Sequence, residues 1–244
     1  MFDHVTLRVP DLSAAERVFQ SLLDQLAFDE THSTRAIAVW GDFGLAQAEY
    51  PAKLTRRAHV AFAARSREAV DAFWEAGVAA GLTDGGAPGP RPHEGDDYYA
   101  AFLRDAQDNC FEAVHRAANR RDGYVDHIAL RVADLGAALA FYRAVGEAAG
   151  FELRHEGDGR ALLAGRTAGG RLSLVPGTAS EHVHLAFPGD DDAVRRFYET
   201  ATGAGHRANG EPGERPFNHP GYFAAYVLDP DGNNIEVVDH HRPE

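Results

Sequence analysis

Cysteine is almost absent: Cys110 is the only one in 244 residues, so no internal disulfide can form, which fits a reducing cytoplasm. No apolar run approaches the roughly 18 residues a membrane helix needs. Met1-Phe2-Asp3-His4 lacks the basic-then-apolar order of a signal peptide. Basic charge is scarce as well, with 24 Lys and Arg against 37 Asp and Glu and a net charge of −13. A phosphate backbone is repelled by that sum, and no basic stripe interrupts it. Nucleic-acid and membrane partners are therefore excluded, and a cytoplasmic protein is expected. What is present is ordinary for a globular chain: 44% hydrophobic and 25% charged residues. The length suits two domains of about 120 residues each. Thirteen histidines are a first hint of metal.

The chain is a duplication. Asp3-His4-Val5-Thr6-Leu7-Arg8-Val9-Pro10-Asp11-Leu12 returns as Asp126-His127-Ile128-Ala129-Leu130-Arg131-Val132-Ala133-Asp134-Leu135, an offset of 123. His59-Val60-Ala61-Phe62 returns as His184-Leu185-Ala186-Phe187 at 125. Tyr98-Tyr99-Ala100-Ala101-Phe102 returns as Tyr222-Phe223-Ala224-Ala225-Tyr226, and Phe111-Glu112-Ala113-Val114 as Ile235-Glu236-Val237-Val238, both at 124. The polar stretch Arg116–Gly123 reads as the linker, which predicts domains 1–117 and 122–244.

Each half divides again. An alternating strand through Val5, Leu7 and Val9 leads into a helix with the capping box Ser13-x-x-Glu16 and an apolar stripe of Leu12, Ala15, Phe19, Leu22, Leu23 and Leu26. A second strand through His59 precedes a helix capped by Ser66. The same order recurs in the second half, and short strands follow every helix, giving a βαβββ unit four times. Gly85–Asp97 and Gly203–Gly221 are Gly/Pro-rich and read as long loops.

Within each half the repeat keeps two histidines and a glutamate: His4, His59 and Glu112, then His127, His184 and Glu236. All six are expected mid-strand, on the face opposite the apolar residues. Two imidazoles and one carboxylate on one face make a facial triad. That set favours Fe(II), with Mn, Ni or Zn as other divalent choices, and it leaves coordination positions open to substrate or O₂.

On these blocks and this triad the chain resembles the vicinal oxygen chelate superfamily, which includes glyoxalase I, extradiol ring-cleaving dioxygenases, fosfomycin-modifying enzymes and bleomycin-binding proteins. The resemblance implies an α+β fold of four βαβββ modules, paired into two cup-shaped mixed-sheet domains with helices outside. It also implies that His4, His59, Glu112, His127, His184 and Glu236 are metal ligands and that the partner is a small-molecule substrate. Tandem fusion supplies in one chain what shorter relatives obtain by dimerising, so a monomer or a homodimer fits. Whether module one pairs with module two or with module four is left open.

The run Tyr226-Val227-Leu228-Asp229-Pro230-Asp231-Gly232-Asn233-Asn234-Ile235-Glu236 resembles the extradiol dioxygenases in full, and it makes a tight hairpin with Gly232 at positive φ. Tyr226, ten residues before Glu236 across that hairpin, is a candidate catalytic proton donor. His182, two residues before His184, is a second, standing in for an acid/base histidine that has no counterpart between Glu156 and Glu181. His219 lies where that family carries a substrate-contacting histidine. In the first half Asp105-Ala106-Gln107-Asp108-Asn109 is expected to have lost the hairpin, Phe102 replaces Tyr226, and Arg57 replaces His182. The fourth, acidic ligand of glyoxalase I has Gln47 or Glu49 as candidates in the first half and none in the second. Cys110 shares the face of Glu112. Three functions remain: a dioxygenase-type metal enzyme, a glyoxalase- or lyase-type metal isomerase, and a non-catalytic small-molecule binding protein.

Overall fold

A computed structural model describes residues 1–49, 53–166 and 169–241. Among them each quarter of the chain is one βαβββ module. The first is β1 (His4–Val9), α1 (Leu12–Asp24), β2 (His32–Ser33), β3 (Ile37–Trp40) and β4 (Phe43–Gln47). The second is β5 (Ala58–Ala63), α2 (Arg67–Ala79), β6 (Thr83–Pro90), β7 (Tyr99–Arg104) and β8 (Cys110–His115). The third is β9 (Val125–Val132), α3 (Leu135–Val145), β10 (Phe151–Gly157), β11 (Arg160–Gly165) and β12 (Arg171–Pro176). The fourth is β13 (His184–Pro188), α4 (Asp191–Gly203), β14 (Ala208–Glu214), β15 (Phe223–Leu228) and β16 (Asn234–Asp239).

The strands form two eight-stranded mixed sheets. One has the order β14-β15-β16-β13-β1-β4-β3-β2 and the other β10-β11-β12-β9-β5-β8-β7-β6. Modules one and four thus share a sheet, as do two and three, which resolves the pairing. The chain divides into two compact units, Met1–Val5 with Arg131–Glu244, and Thr6–Leu130.

In the unit of Thr6–Leu130, β5 and β8 run parallel while β7–β8 and β5–β9 run antiparallel. Phe19, Phe43, Phe62, Phe73 and Phe111 fill its core. Each such ring contributes roughly 1.5–3 kcal/mol of burial. Phe19 meets Phe111 edge-on at 4.8 Å, which locks α1 to β8. In the other unit β13 and β16 run parallel and β15–β16 antiparallel, over a core of Phe141, Tyr142, Phe151, Phe187 and Phe197.

Three expectations about local structure are corrected. The cap of α1 is Asp11, which accepts from Ala14 N, and not Ser13. Asp134 does the same for α3, while Ser66 caps α2 as its position suggested. The two Gly/Pro-rich stretches are not wholly loops, because they contain β6 and β14, each at the edge of its sheet. Both show register shifts against their partners, the irregularity that lets an edge strand tolerate glycine and proline. The first-half hairpin is also kept. Asp105 N donates to Asn109 O, Asp108 N donates to Asp105 O, and Asp108 takes the left-handed φ of 60° that Gly232 takes at 87° in the second half. Aspartate tolerates that conformation better than most residues.

Candidate metal centres

Sheet register builds the first centre. Ala61 pairs with Glu112 on one side and with His127 on the other, so these two side chains share a face with His59, two residues before Ala61. The His59 Nε2 to Glu112 Oε2 distance is 2.8 Å, and that of His127 Nε2 to the same oxygen is 3.4 Å. In the second centre His184 stands two residues before Ala186, which pairs with Glu236. His184 Nε2 lies 2.9 Å from Glu236 Oε2, and His4 Nε2 lies 3.6 Å from that oxygen and 3.0 Å from His184 Nε2. In each group the three ligand atoms lie within 4.8 Å of one another.

All six expected residues are therefore gathered, but not in the trios read from each half. His4 joins His184 and Glu236, and His127 joins His59 and Glu112. The cause is the strand order: β1 lies beside β13, and β9 beside β5. His4 and His184 also open their strands rather than sitting in the middle of them.

Each centre carries the same polar backing. His4 Nδ1 is 2.8 Å from Asp3 Oδ1 and His127 Nδ1 is 2.9 Å from Asp126 Oδ2. The Tyr222 hydroxyl donates to Glu236 Oε1 at 2.7 Å, and Tyr98 donates to Glu112 Oε1 at 2.6 Å. Burial and the nearby glutamate charges push both phenols far up, so they stay protonated donors. Glu112 and Glu236 are buried at 2% and 1% exposure. Burial alone would raise them; the hydrogen-bonded imidazoles outweigh it and hold both below the usual carboxylate range. Burial likewise opposes a charged His59, but its bonds to Cys110 and Glu112 lift the imidazole to about 10.

The remaining candidates are distributed around this frame. Tyr226 pairs with Glu236 across β15–β16, its ring 6.3 Å from that of His184; Phe102 stands likewise by Glu112 and His59. His182 and Arg57 take left-handed φ values of 56° and 57° in the turns before β13 and β5. Strand alternation does not reach them, so it cannot align His182 with His184. His219 bonds His240 Nδ1 at 2.8 Å, and His240 Nε2 reaches Asp3 Oδ2 at 2.9 Å, which places His219 in a chain behind His4. Gln47 is occupied at the start of α1, accepting from Leu12 N and donating to Pro10 O, and it joins neither metal group. Cys110 is buried and pairs with His59 across β5–β8, and Asn234 meets His184 Nδ1 at 2.7 Å.

Sequence reasoning missed Asp3, Asp126, Tyr98, Tyr222 and His240. The first four lie inside the repeated blocks, so their recurrence as polar residues beside the ligands was the available signal.

Comparison with known proteins gives the family and the fold. The model of the Glyoxalase/Bleomycin resistance protein/Dioxygenase superfamily matches residues 124–237, and the chain belongs to that superfamily. Glyoxalase I from Zea mays superposes with a TM-score of 0.68 at 20% identity, covering 98% of this chain and 92% of that one. A Bacillus subtilis protein provisionally assigned as a dioxygenase gives 0.64 at 11% identity, covering 99% and 85%. A glyoxalase/bleomycin resistance protein from Albidiferax ferrireducens is 32% identical over 48% of this chain and 99% of its own, with a TM-score of 0.44. No curated protein sequence matches. Among the described residues no helix is long and apolar enough to cross a membrane.

Proposed function

We propose that the chain is a divalent-metal enzyme acting on a small molecule with two adjacent oxygens, with dioxygenase-type chemistry at the centre of His4, His184 and Glu236. The supporting observation is the convergence, twice, of two imidazoles and a buried carboxylate whose other polar atoms are already engaged. That donor set suits Fe(II) first, and Mn, Ni or Zn. His4, His184 and Glu236 would hold one ion, and His59, His127 and Glu112 the other. Such an ion supplies Lewis acidity toward two adjacent oxygens and, as Fe(II), a place for O₂.

The chain's own residues do the rest. Asp3 and Asp126 hold the Nδ1 side of His4 and His127, which turns Nε2 inward with its lone pair available. Tyr222 and Tyr98 each occupy one carboxylate oxygen and leave the other facing the histidines. Tyr226 keeps its proton, because burial and the Glu236 charge push it up, and it presents that proton beside Glu236 and His184. Phe102 has none to give. Tyr226 is the proton-carrying group of this reading, since His182 stands in the turn before β13. Protein purified without oxygen should hold about two metal ions per chain and consume O₂ with catechol, and His184→Ala should stop that consumption. Metal without O₂ uptake would favour the isomerase or lyase reading, and absence of metal the binding-protein reading.

A further inference from the structure

Beside each candidate centre lies an arginine that the reading above does not use. The Arg215 guanidinium sits 5.5 Å over the ring of Tyr226, and Arg91 sits 5.3 Å over the ring of Phe102. Both are tied to backbone in the same way: Arg215 donates to Glu211 O and Glu214 O, and Arg91 to Ala87 O and Pro90 O. Among the described residues neither has a carboxylate partner, in a chain with 37 acidic residues. An arginine left without a counter-ion in such a chain, yet fixed in position and half-buried, is organised to receive an anion.

The seat is built by glycine. A Cβ on Gly210 would lie 2.7 Å from Tyr226 Cδ2, and one on Gly213 would lie 3.0 Å from Arg215 Nη1. In the other copy a Cβ on Gly86 would lie 3.0 Å from Phe102 Cδ2, and one on Gly89 would lie 3.2 Å from Arg91 Nη1. The residues responsible form a repeated sequence, Gly86-Ala87-Pro88-Gly89-Pro90-Arg91 and Gly210-Glu211-Pro212-Gly213-Glu214-Arg215. One pattern, G-x-P-G-x-R, thus makes β6 and β14 irregular and lays an arginine on the aromatic ring beside a metal centre. The ring changes from Tyr to Phe between copies; the arginine and both glycines do not.

We propose that this arginine seat takes a carboxylate of the ligand, so that the substrate class is a small anion carrying two adjacent oxygens. The inference rests on the metal-chelation reading for the two oxygens and on Arg215 and Arg91 for the anion, and the two parts fail separately. The test is calorimetric titration of Mn(II)-loaded protein with catechol, 3,4-dihydroxybenzoate and benzoate. Wild-type protein should bind 3,4-dihydroxybenzoate about tenfold or more tighter than catechol, the scale of one charge-assisted pair. That ratio should collapse toward one in the Arg91→Gln/Arg215→Gln double variant. Arg215→Lys with Arg91→Lys, which keeps the charge and loses the planar fork, should give an intermediate ratio. Equal affinities in the wild type, or a preference that survives in the double glutamine variant, would overturn the proposal. Benzoate binding that disappears in the double variant while catechol never binds would support the arginine seat and discard chelation. Catechol binding without carboxylate preference would do the reverse.

Discussion

Asp3 and Asp126 each precede a histidine proposed as a metal ligand, and each takes that histidine's Nδ1. A carboxylate in this position fixes the ring and raises its basicity, and its loss typically costs about 10–100-fold in metal affinity. Asp3→Asn and Asp126→Asn should each weaken one site by about that factor in a chelator competition, and wild-type affinity in both would remove them from the design. Asp126 also gives a pH dependence. Burial raises its carboxyl, but bonds and charges from His127 and Arg116 overcome this and bring it down to about 2. A carboxylate depressed on folding adds stability above its ordinary value of 3.8, and that stability is lost as pH falls toward 2. Metal-free wild-type protein should therefore lose about 2 kcal/mol more than Asp126→Asn between pH 5 and pH 2, as read by denaturant titration. An identical loss in both would contradict the assignment. The six proposed ligands stood out as a set because a duplication repeats them at near-constant offset. Asp3 and Asp126 did not, because alternation sends a residue next to a strand ligand to the opposite face. Asp3 escapes that rule by preceding β1, so its side chain is free to fold back on His4.

At the scale of elements, the turns after β7 and β15 set the position of the strands that carry the ligands. Asn109 is 3% exposed; its amide donates to Thr55 O and Asp105 Oδ2, and its carbonyl accepts from Ala58 N. Asn233 accepts from Val183 N in the same manner. Each asparagine thus ties a hairpin to the residue just before a histidine ligand. Asn109→Ala leaves a buried N–H and a buried carbonyl without partners, at about 1–3 kcal/mol for each such group. A lower Tm with weakened metal at the His59 site is expected; unchanged stability would show that water replaces the amide. The module order was readable from apolar periodicity, because most strands and all four helices bury a regular face. β6 and β14 were hidden by composition, since Gly and Pro signal loops wherever no partner strand is known. The first-half hairpin was hidden for a related reason: without Pro-Asp-Gly it lacks the usual letters, yet the Asp105 and Asn109 side chains supply the hydrogen bonds.

For the whole molecule, the pairing of modules decides which residues meet. No local pattern encodes it, since β1 is equally amphipathic whichever strand lies beside it. The crossed grouping is testable by metal count. His4→Ala/Glu236→Ala removes two ligands from one centre and should cost about one ion per chain, whereas His4→Ala/Glu112→Ala damages both centres and should cost about two. The opposite pattern would restore the within-half trios. The centres should also differ in use. Tyr226 can donate a proton where Phe102 cannot, and one such donor is worth on the order of 10²-fold in rate. His184→Ala should abolish activity, while His59→Ala should keep most of it; survival of activity in His184→Ala would reverse the ranking.

Because each group of two histidines and a glutamate takes one histidine from the other copy of the repeat, neither copy owns a complete set of the proposed ligands. Cutting the gene in the linker near residue 120 should then yield two products that are each poor in metal, since 1–117 lacks His127 and 122–244 lacks His4. Co-expressed, the two pieces should complement one another and recover about two ions per pair. Such a result would explain how selection can keep two diverging halves on a single reading frame: after duplication, a loss in either half is felt in the centre attributed to the other.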